Sequence, residues 1–483
     1  MTTIVGRPSA AHDTAAWDRA HDQLVDDLRE LIRIPSINPP PADAPDGERR
    51  AADWIAAALS DTGLRAEVLE MVPGRGSVAA RLRGDGSGGE PLLLLSHLDV
   101  VPAAADLWTH EPFAGDVADG YVWGRGAVDM KNLLAMELAV VRLLAAETRA
   151  AGRDPASDPV PGLTRDILFA STADEEAGGL NGIGWIVQER PELLQAAAAI
   201  NESGAVATTF GGRRFYPIGV AEKGYAVYRL TVHGTWGHGS MPRDDNAAVR
   251  AAHAVARLAV QGPPRLTPVM RTFLAGVAEE LHGEPARLLR ALASDDPRLG
   301  EAALDAVCDP MPARVVRALL RDTVSPNIVH AGVKYNVIPG VATVELDCRV
   351  LPGTTEETMR DIVVARLGDD LAAHVDVELI IHAPPVDAPT DSELYRVMER
   401  TIVDHDPDGI PLPFMVPFAT DAKHTAALSI PTYGFSPLRL DPDERFMERF
   451  HGVDERVGLD ALRWGLPVLY DVVRRFCGSA STP

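Results

Sequence analysis

The 483-residue sequence predicts an α/β fold that carries a smaller inserted α+β unit. From about residue 15 to 220, helical apolar spacing alternates with short aliphatic runs, which is typical of a sheet covered by helices. Beyond residue 222 the strand-like segments alternate apolar and polar residues, as a half-solvated antiparallel sheet does. A chain of this length also exceeds what one hydrophobic core usually holds, so at least two domains are expected.

The main domain is predicted to alternate helices and strands in chain order. The aliphatic run 91–97 is continuous, which favours a strand buried on both faces. The second helix is expected to end at Gly63, since glycine is common after the last helical residue. The predicted elements are helices over 15–34, 48–63 and 130–147, strands over 91–97, 165–172 and 196–201, and a closing amphipathic helix over 457–476.

The inserted unit is predicted to span residues 222–352, with 1–221 and 353–483 forming the main domain. It should contain a strand over 225–234, a helix over 244–262, and two strands, 334–340 and 341–353, that a Pro-Gly turn joins. Residues 263–325 are rich in Ala, Leu and Arg and predict further helices, whose role the sequence does not give.

Composition excludes several classes of partner. The net charge of −23 disfavours nucleic acid and anionic membrane surfaces. The three cysteines, Cys308, Cys348 and Cys477, have no C-x-x-C spacing, so a reducing compartment is expected. Neither a signal-peptide core nor an apolar run of about 18 residues is found. These features predict a cytoplasmic enzyme with no membrane partner.

Side chains that commonly bind metals follow the predicted strands. His97 and Asp99 come after the strand 91–97 and share one face if the backbone stays extended, so His97 could bind a metal while Asp99 orients it. A carboxylate at Asp129, in a glycine-flanked loop, could bridge two cations. Of the adjacent Glu175 and Glu176, one could bind a metal and the other act as a general base.

Two further candidates complete this set. Glu202 closes the predicted strand 196–201, and His424 lies in a loop farther along the chain. Sites in open α/β sheets gather outside the carboxyl ends of the strands, so residues about 100 positions apart are expected to meet there.

Five motifs resemble the cocatalytic dizinc exopeptidase and deacylase family, which includes glutamate carboxypeptidases, carboxypeptidase S, aminoacylases, acetylornithine deacetylase and succinyl-diaminopimelate desuccinylase. They are S-H-L-D-V-V-P, W-G-R-G-A-V-D-M-K, A-D-E-E-A-G-G, N-E-S-G and T-D-A-K-H. The likeness is greatest to the carboxypeptidase S branch. It implies a zinc-exopeptidase catalytic domain with a mixed sheet and an inserted lid. It also implies two divalent metal ions, with zinc as the expected metal. Mixed His and carboxylate sites accept cobalt or manganese as well.

The resemblance assigns a role to each candidate. Asp129 would bridge the two metals and Glu175 would be the general base. One metal would take His97 and Glu202, the other Glu176 and His424, while Asp99 would hold His97.

The inserted unit resembles the family's lid, which often forms a homodimer. His238 matches the histidine that stabilises the oxyanion, and Asn336, Arg349 and Gly434 match substrate-binding positions. Arg349 suits a substrate carboxylate, although a salt bridge inside the lid remains an alternative for it. His451 also recurs in the carboxypeptidase S branch and receives no role here.

The function expected is metal-dependent hydrolysis of the amide bond of a small peptide or N-acyl amino acid with a free carboxylate. In this scheme Glu175 deprotonates a water that the metals activate. Two alternatives stay open: hydrolysis of another C–N bond, such as a carbamoyl bond, and a catalytically silent metal-binding dimer.

Overall fold

The computed structural model describes residues 12–294, 301, 304, 310–441, 444 and 446–478. Cys308 therefore lies outside the described residues. The chain divides into two compact units. The first comprises Met1–Val220, Ala388–Leu412 and Thr420–Pro483, and the second comprises Ala221–Asp387 and Pro413–Ala419.

The strands are as follows in chain order: β1 (Ala66–Glu70), β2 (Gly76–Leu82), β3 (Leu92–His97), β4 (Asp116–Ala118), β5 (Tyr121–Trp123), β6 (Ile167–Thr172), β7 (Ala198–Asn201), β8 (Thr208–Phe210), β9 (Arg213–Glu222), β10 (Gly224–His233), β11 (Gly237–His238), β12 (Thr323–Ala331), β13 (Val337–Ile338), β14 (Val341–Val350), β15 (Val375–Ala383), β16 (Val386–Asp387), β17 (Gly409–Val416), β18 (Thr432–Gly434) and β19 (Arg456–Gly458).

The α-helices are as follows: α1 (Thr14–Ile32), α2 (Gly47–Ser60), α3 (Lys131–Ala150), α4 (Ile183–Glu189), α5 (Ala247–Leu258), α6 (Pro268–Glu280), α7 (Gly283–Leu292), α8 (Pro310–Leu319), α9 (Glu356–Leu367), α10 (Asp369–Ala372), α11 (Glu393–His405), α12 (Ala422–Thr425) and α13 (Leu459–Cys477). No helix among the described residues combines the length and the apolar character that a membrane span requires.

The first unit is built on a mixed sheet with the strand order β1-β2-β6-β3-β7-β18-β9. Strand β3 runs parallel to β6 and β7, and β18 runs parallel to β7, whereas β1 and β2 are antiparallel to their neighbours. Leu92, Leu93, Leu94 and Leu95 of β3 are all fully buried. Helix α4 packs on the Leu93 side of this strand, and α3 also contacts it. The predicted α/β class, mixed sheet and doubly buried strand are confirmed.

This topology determines where polar side chains gather. Parallel strands β3, β6 and β7 end at His97, Thr172 and Asn201, so the residues that follow all emerge at the same edge of the sheet. A separate three-stranded sheet, β19-β5-β4, pairs Arg456 with Trp123. It therefore joins a late segment of the chain to the glycine-flanked loop that precedes Asp129.

The second unit contains a four-stranded antiparallel sheet in the order β12-β14-β10-β15. Helices α5 and α9 supply Ala251, Met359 and Val363 to the core on one face of this sheet. The unit therefore continues beyond the predicted end at residue 352, because α9 packs on its sheet and β15 pairs with β10.

Two local predictions for this unit need correction. Residues 334–340 do not pair with β14 as a hairpin. Only Val337–Ile338 is a strand, and it pairs with β11. The edge strand β12 begins at Thr323 and lies partly in a stretch predicted to be helical. Most residues of β12 are exposed, and the strand contains Pro326. It therefore lacks the alternating apolar pattern by which strands are recognised in a sequence.

Candidate metal centre

His97, at the end of β3, is oriented by its own neighbour. Its Nδ1 lies 3.0 Å from the carbonyl oxygen of Asp99 and 3.5 Å from Asp99 Oδ1. The other ring nitrogen, Nε2, lies 3.2 Å from Asp129 Oδ1 and 3.7 Å from Glu202 Oε1. Because Nδ1 donates to Asp99, Nε2 is left as the atom that can bind a metal.

Asp99 does more than orient His97. This fully buried carboxylate accepts the backbone N–H of Glu175 on Oδ1 at 3.1 Å and that of Glu176 on Oδ2 at 3.0 Å. Asn38 donates to Asp99 Oδ2 at 2.7 Å. One carboxylate thus contacts His97 and the backbone of both glutamates across the sheet edge.

The three consecutive carboxylates 174–176 are directed apart. Asp174 has a left-handed backbone with φ of 74° and lies 3.1 Å from Arg75 Nη1. Glu175 Oε1 lies 3.4 Å from Lys423 Nζ. Glu176 Oε2 lies 3.2 Å from His451 Nε2. The loop therefore presents Glu175 and Glu176 to the cluster and keeps Asp174 out of it.

His451, to which the sequence analysis gave no role, completes the cluster. Its Nε2 is 3.2 Å from Asp129 Oδ2 and 3.2 Å from Glu176 Oε2. Asp129 thus faces His97 with one oxygen and His451 with the other, which is the arrangement expected of a bridging carboxylate. The motif F-H-G-V-D-E-R around His451 was the available signal, and strand β19 directly after it pairs with β5.

His424 is not brought to this cluster, contrary to the prediction. Its Nε2 lies 2.8 Å from the carbonyl oxygen of Gly178. The ring packs so closely that a Cβ at Gly179 or Gly184 would lie 2.9 or 3.0 Å from it. His424 lies in the short helix α12 and contacts the loop 174–179 through Gly178. His424 therefore supports the loop that carries Glu176 but does not itself reach Asp129.

The donor set fits divalent cations. Ligand atoms of His97, Asp129 and Glu176 lie within 4.8 Å of one another, as do those of His97, Glu175 and Glu202. Within the described part of the chain, the buried Oε1 of Glu176 has no hydrogen-bond partner. Imidazole and carboxylate in this mixture suit zinc, cobalt and manganese.

The pKa shifts within the cluster favour positive charge there. Burial and the nearby Asp129 raise the pKa of Glu202 well above its ordinary value, and burial raises the pKa of Glu176 to about 7. Hydrogen bonds to Asp129 and Glu176 raise the pKa of His451 to about 10. Burial lowers the pKa of His97, but hydrogen bonds to Asp129 and Asp99 outweigh burial and hold this pKa well above the usual range. The carboxylates thus draw protons onto both imidazoles, and metal cations would supply that charge instead.

Lys423 and Asp421 were missed as neighbours of the cluster, although they stand in the quoted motif T-D-A-K-H. Lys423 is almost buried and donates to the carbonyl oxygen of Thr420 at 3.0 Å as well as facing Glu175. Asp421 Oδ2 accepts a hydrogen bond from Thr172 at 2.8 Å, at the end of β6. The motif therefore places the cation of Lys423 beside Glu175. It does not supply the histidine ligand that was predicted to join Glu176.

The remaining predicted residues are distributed over both units. Gly434, in β18 of the first unit, pairs with Asn201, and a Cβ there would lie 2.6 Å from the carbonyl oxygen of Glu202. In the second unit, His238 Nδ1 lies 2.7 Å from Ser240 Oγ, and Gly239 N–H donates to the carbonyl oxygen of Asn336 at 2.8 Å.

Arg349, also in the second unit, makes the alternative contact that the sequence left open. Its Nε and Nη2 donate to Asp347 at 2.8 and 3.1 Å. Its guanidinium also stacks over Tyr225. The salt bridge therefore lies inside the second unit, between two residues of β14.

A mixed sheet with an imidazole and carboxylate cluster at its strand ends defines a metal-dependent hydrolase. Residues 93–475 match peptidase family M20/M25/M40. The chain belongs to that family, and the predicted family and enzyme class are confirmed.

Two curated relatives illustrate the range of the family. The chain is 30% identical to probable carboxypeptidase S-like 2 of Dictyostelium discoideum over 402 residues, covering 80% of this chain and 71% of the relative. It is 28% identical to the N-fatty-acyl-amino acid synthase/hydrolase PM20D1 of Xenopus tropicalis over 465 residues, covering 93% and 85%. The fold resembles the crystal structure of the M20 family metallo-carboxypeptidase Sso-CP2 from Sulfolobus solfataricus, with a TM-score of 0.68, 17% identity and coverage of 94% and 99%.

Proposed function

We propose that this protein hydrolyses the amide bond of a small peptide or an N-acyl amino acid that carries a free carboxylate. The observation that supports this most is the position of Glu175. Its carboxylate lies within 4.8 Å of ligand atoms of His97 and Glu202, yet another glutamate, Glu176, faces His451 and Asp129. A carboxylate that lies beside a metal-type cluster is suited to act as a general base for water.

Two divalent metal ions, with zinc expected first, would share Asp129 as a ligand. One would be held by His97 and Glu202 and the other by Glu176 and His451. When bound, they supply Lewis acidity that polarises the amide carbonyl and lowers the pKa of water.

The chain's own groups then carry the proton. Glu175 takes it from the attacking water and delivers it to the amine nitrogen that leaves. Asp99 keeps Glu175 in place by accepting the backbone N–H of Glu175. Lys423 lies 3.4 Å from the Glu175 carboxylate. A cation therefore lies directly beside the proposed base.

Residues of the second unit are proposed to bind the substrate. His238 would donate to the oxyanion, Asn336 would bind the substrate, and Arg349 would bind its free carboxylate. Arg349 is already paired with Asp347, so a substrate carboxylate would share this guanidinium or displace Asp347. The relatives named for carboxypeptidase S-like and N-fatty-acyl-amino acid chemistry support a substrate of this class.

A homodimer through the lid is proposed as well, with a second copy of the chain as the partner. The edge strand β12 exposes Ile328 and Val329, and the following loop exposes Val333 and Tyr335, the last at 94%. An exposed edge strand with adjacent apolar side chains is a surface that proteins usually cover.

Glu175→Ala tests the proposal. The purified variant should lose hydrolysis of a panel of dipeptides and N-acyl amino acids by at least about a thousandfold, within the range that a general base contributes. Its metal content should stay at two ions per chain. Glu90→Ala, at an exposed position before β3, is the control and should behave as the parent. Near-normal turnover by Glu175→Ala would refute the assignment, and products of carbamoyl cleavage alone would redefine the substrate bond.

A further inference from the structure

A buried ion pair joins the two loops that carry Asp129 and His451. Glu455 is fully buried, and its Oε1 accepts the backbone N–H of Val128 at 2.7 Å and of Asp129 at 3.2 Å. Its Oε2 accepts from Arg125 Nη1 at 2.6 Å. A charged acceptor for two successive backbone donors holds the peptide of the bridging aspartate in a fixed orientation.

Arg125 contacts the backbone of the loop that carries His451. Its Nη2 donates to the carbonyl oxygen of Gly452 at 2.9 Å and lies 3.5 Å from that of His451. Its Nη2 also lies 3.3 Å from the carbonyl oxygen of Pro102, which follows β3. The guanidinium therefore belongs to the Asp129 loop but bonds the backbone next to His451, while Glu455 belongs to the His451 loop but bonds the backbone of Asp129.

His451 depends on its backbone for its position. Its side chain is 56% exposed, so packing restrains the ring little. Its φ of 57° and that of Asp454, 56°, lie in the left-handed region, which residues other than glycine adopt only when their surroundings hold them there. Strand pairing of Arg456 with Trp123 fixes the far end of this turn. The Arg125–Glu455 pair supplies the restraint next to His451 itself.

We infer that Arg125 and Glu455 are positioning residues that set the affinity of the metal site completed by His451 and Glu176. The inference rests on the two-metal centre of the proposed function. It assigns a specific consequence to the ion pair: the pair acts on the site that contains His451 through both His451 and Asp129, and on the site of His97 and Glu202 through Asp129 alone. His97 is held by Asp99 instead, and that contact does not involve Arg125 or Glu455.

Glu455→Gln is the informative variant, because glutamine keeps the shape and one acceptor oxygen but loses the charge that holds Arg125. Residues that orient metal ligands typically change metal affinity by about 10- to 100-fold. We expect a loss of this size at one of the two zinc sites and a clearly smaller loss at the other. Arg125→Met should reproduce the effect and serves if Glu455→Gln does not fold.

Titration of the metal-free protein with zinc ion against a chromophoric chelator gives both affinities without reference to activity. Asp27→Asn is the matched control, since it breaks another buried ion pair, Asp27 with Arg142, between helices α1 and α3. It should lower the thermal midpoint and leave both zinc affinities unchanged. Equal weakening of both sites, or unchanged affinities in both Glu455→Gln and Arg125→Met, would overturn the inference while the parent still binds two zinc ions. A parent that binds fewer than two zinc ions would overturn the proposed function and this inference together.

Discussion

Replacing His451 with alanine should remove one of the two metal ions, whereas replacing His424 should not. His451 Nε2 lies 3.2 Å from an oxygen of Asp129 and 3.2 Å from an oxygen of Glu176. Without it, that site keeps only two carboxylates, one of them shared with the other metal. His424 instead contacts the carbonyl oxygen of Gly178.

The size of each effect follows from these contacts. Residues that only orient a ligand change metal affinity by about 10- to 100-fold, so loss of the ligand itself should exceed about 100-fold. At about 1.4 kcal/mol for each factor of ten, that is about 3 kcal/mol or more. His424→Ala removes one hydrogen bond to a carbonyl oxygen, worth about 1 kcal/mol of stability, together with some packing. It should lower the thermal midpoint and weaken metal binding by less than about tenfold.

Metal content after gel filtration in metal-free buffer is the assay, together with zinc affinity by chelator competition. His451→Ala should retain about one ion per chain, with hydrolysis reduced by at least about a hundredfold. His424→Ala should retain two. The reverse result, with one ion in His424→Ala and two in His451→Ala, would refute the reasoning from this geometry.

Three further outcomes are expected. Lys423→Met should keep both metals but lower kcat by about tenfold, because the cation beside Glu175 is lost; unchanged kcat across pH 6–9 would contradict this. Burial raises the pKa of Glu137 in α3 well above its ordinary value, so its contribution to stability is present at low pH and is lost as the pH rises toward the folded-state pKa. Glu137→Gln should therefore gain thermal stability relative to the parent from pH 5 to pH 9, by about 2 °C or more at the upper end, and a constant difference would contradict it. Lysine at both Val333 and Tyr335 should shift the protein from dimer to monomer in sedimentation experiments with its fold retained, and a parent that is already monomeric would refute the proposed dimer.

Much of the first unit could be predicted because its signals are local. A continuous aliphatic run such as Leu92–Leu95 has few alternatives to a buried strand, and helix α1 has regular apolar spacing. The strand ends then determine where His97, Glu175 and Glu202 emerge. For this reason His97, Glu175 and Glu202 could be predicted to meet at one sheet edge, where the structure places them.

The second histidine could not be chosen in the same way. His424 and His451 both lie in loops, and a loop histidine carries no periodicity that shows which way it points. What distinguishes them is tertiary: the pairing of β19 with β5 turns His451 toward Asp129, and the glycines at 179 and 184 accept the ring of His424. The continuation of the second unit to Asp387 was missed for a related reason, since α9 and β15 look like elements of any α/β domain until their pairing with β10 is known.

Anomalous scattering from crystals of the zinc-loaded enzyme, measured on either side of the zinc edge, tests the central claim most directly. We expect two peaks about 3.5–4 Å apart with Asp129 between them, as in other two-metal hydrolases. One should lie against His97 and Glu202, the other against Glu176 and His451, and Glu175 should bind neither. A single peak, or a second zinc ligated by His424 or Glu175, would contradict the account.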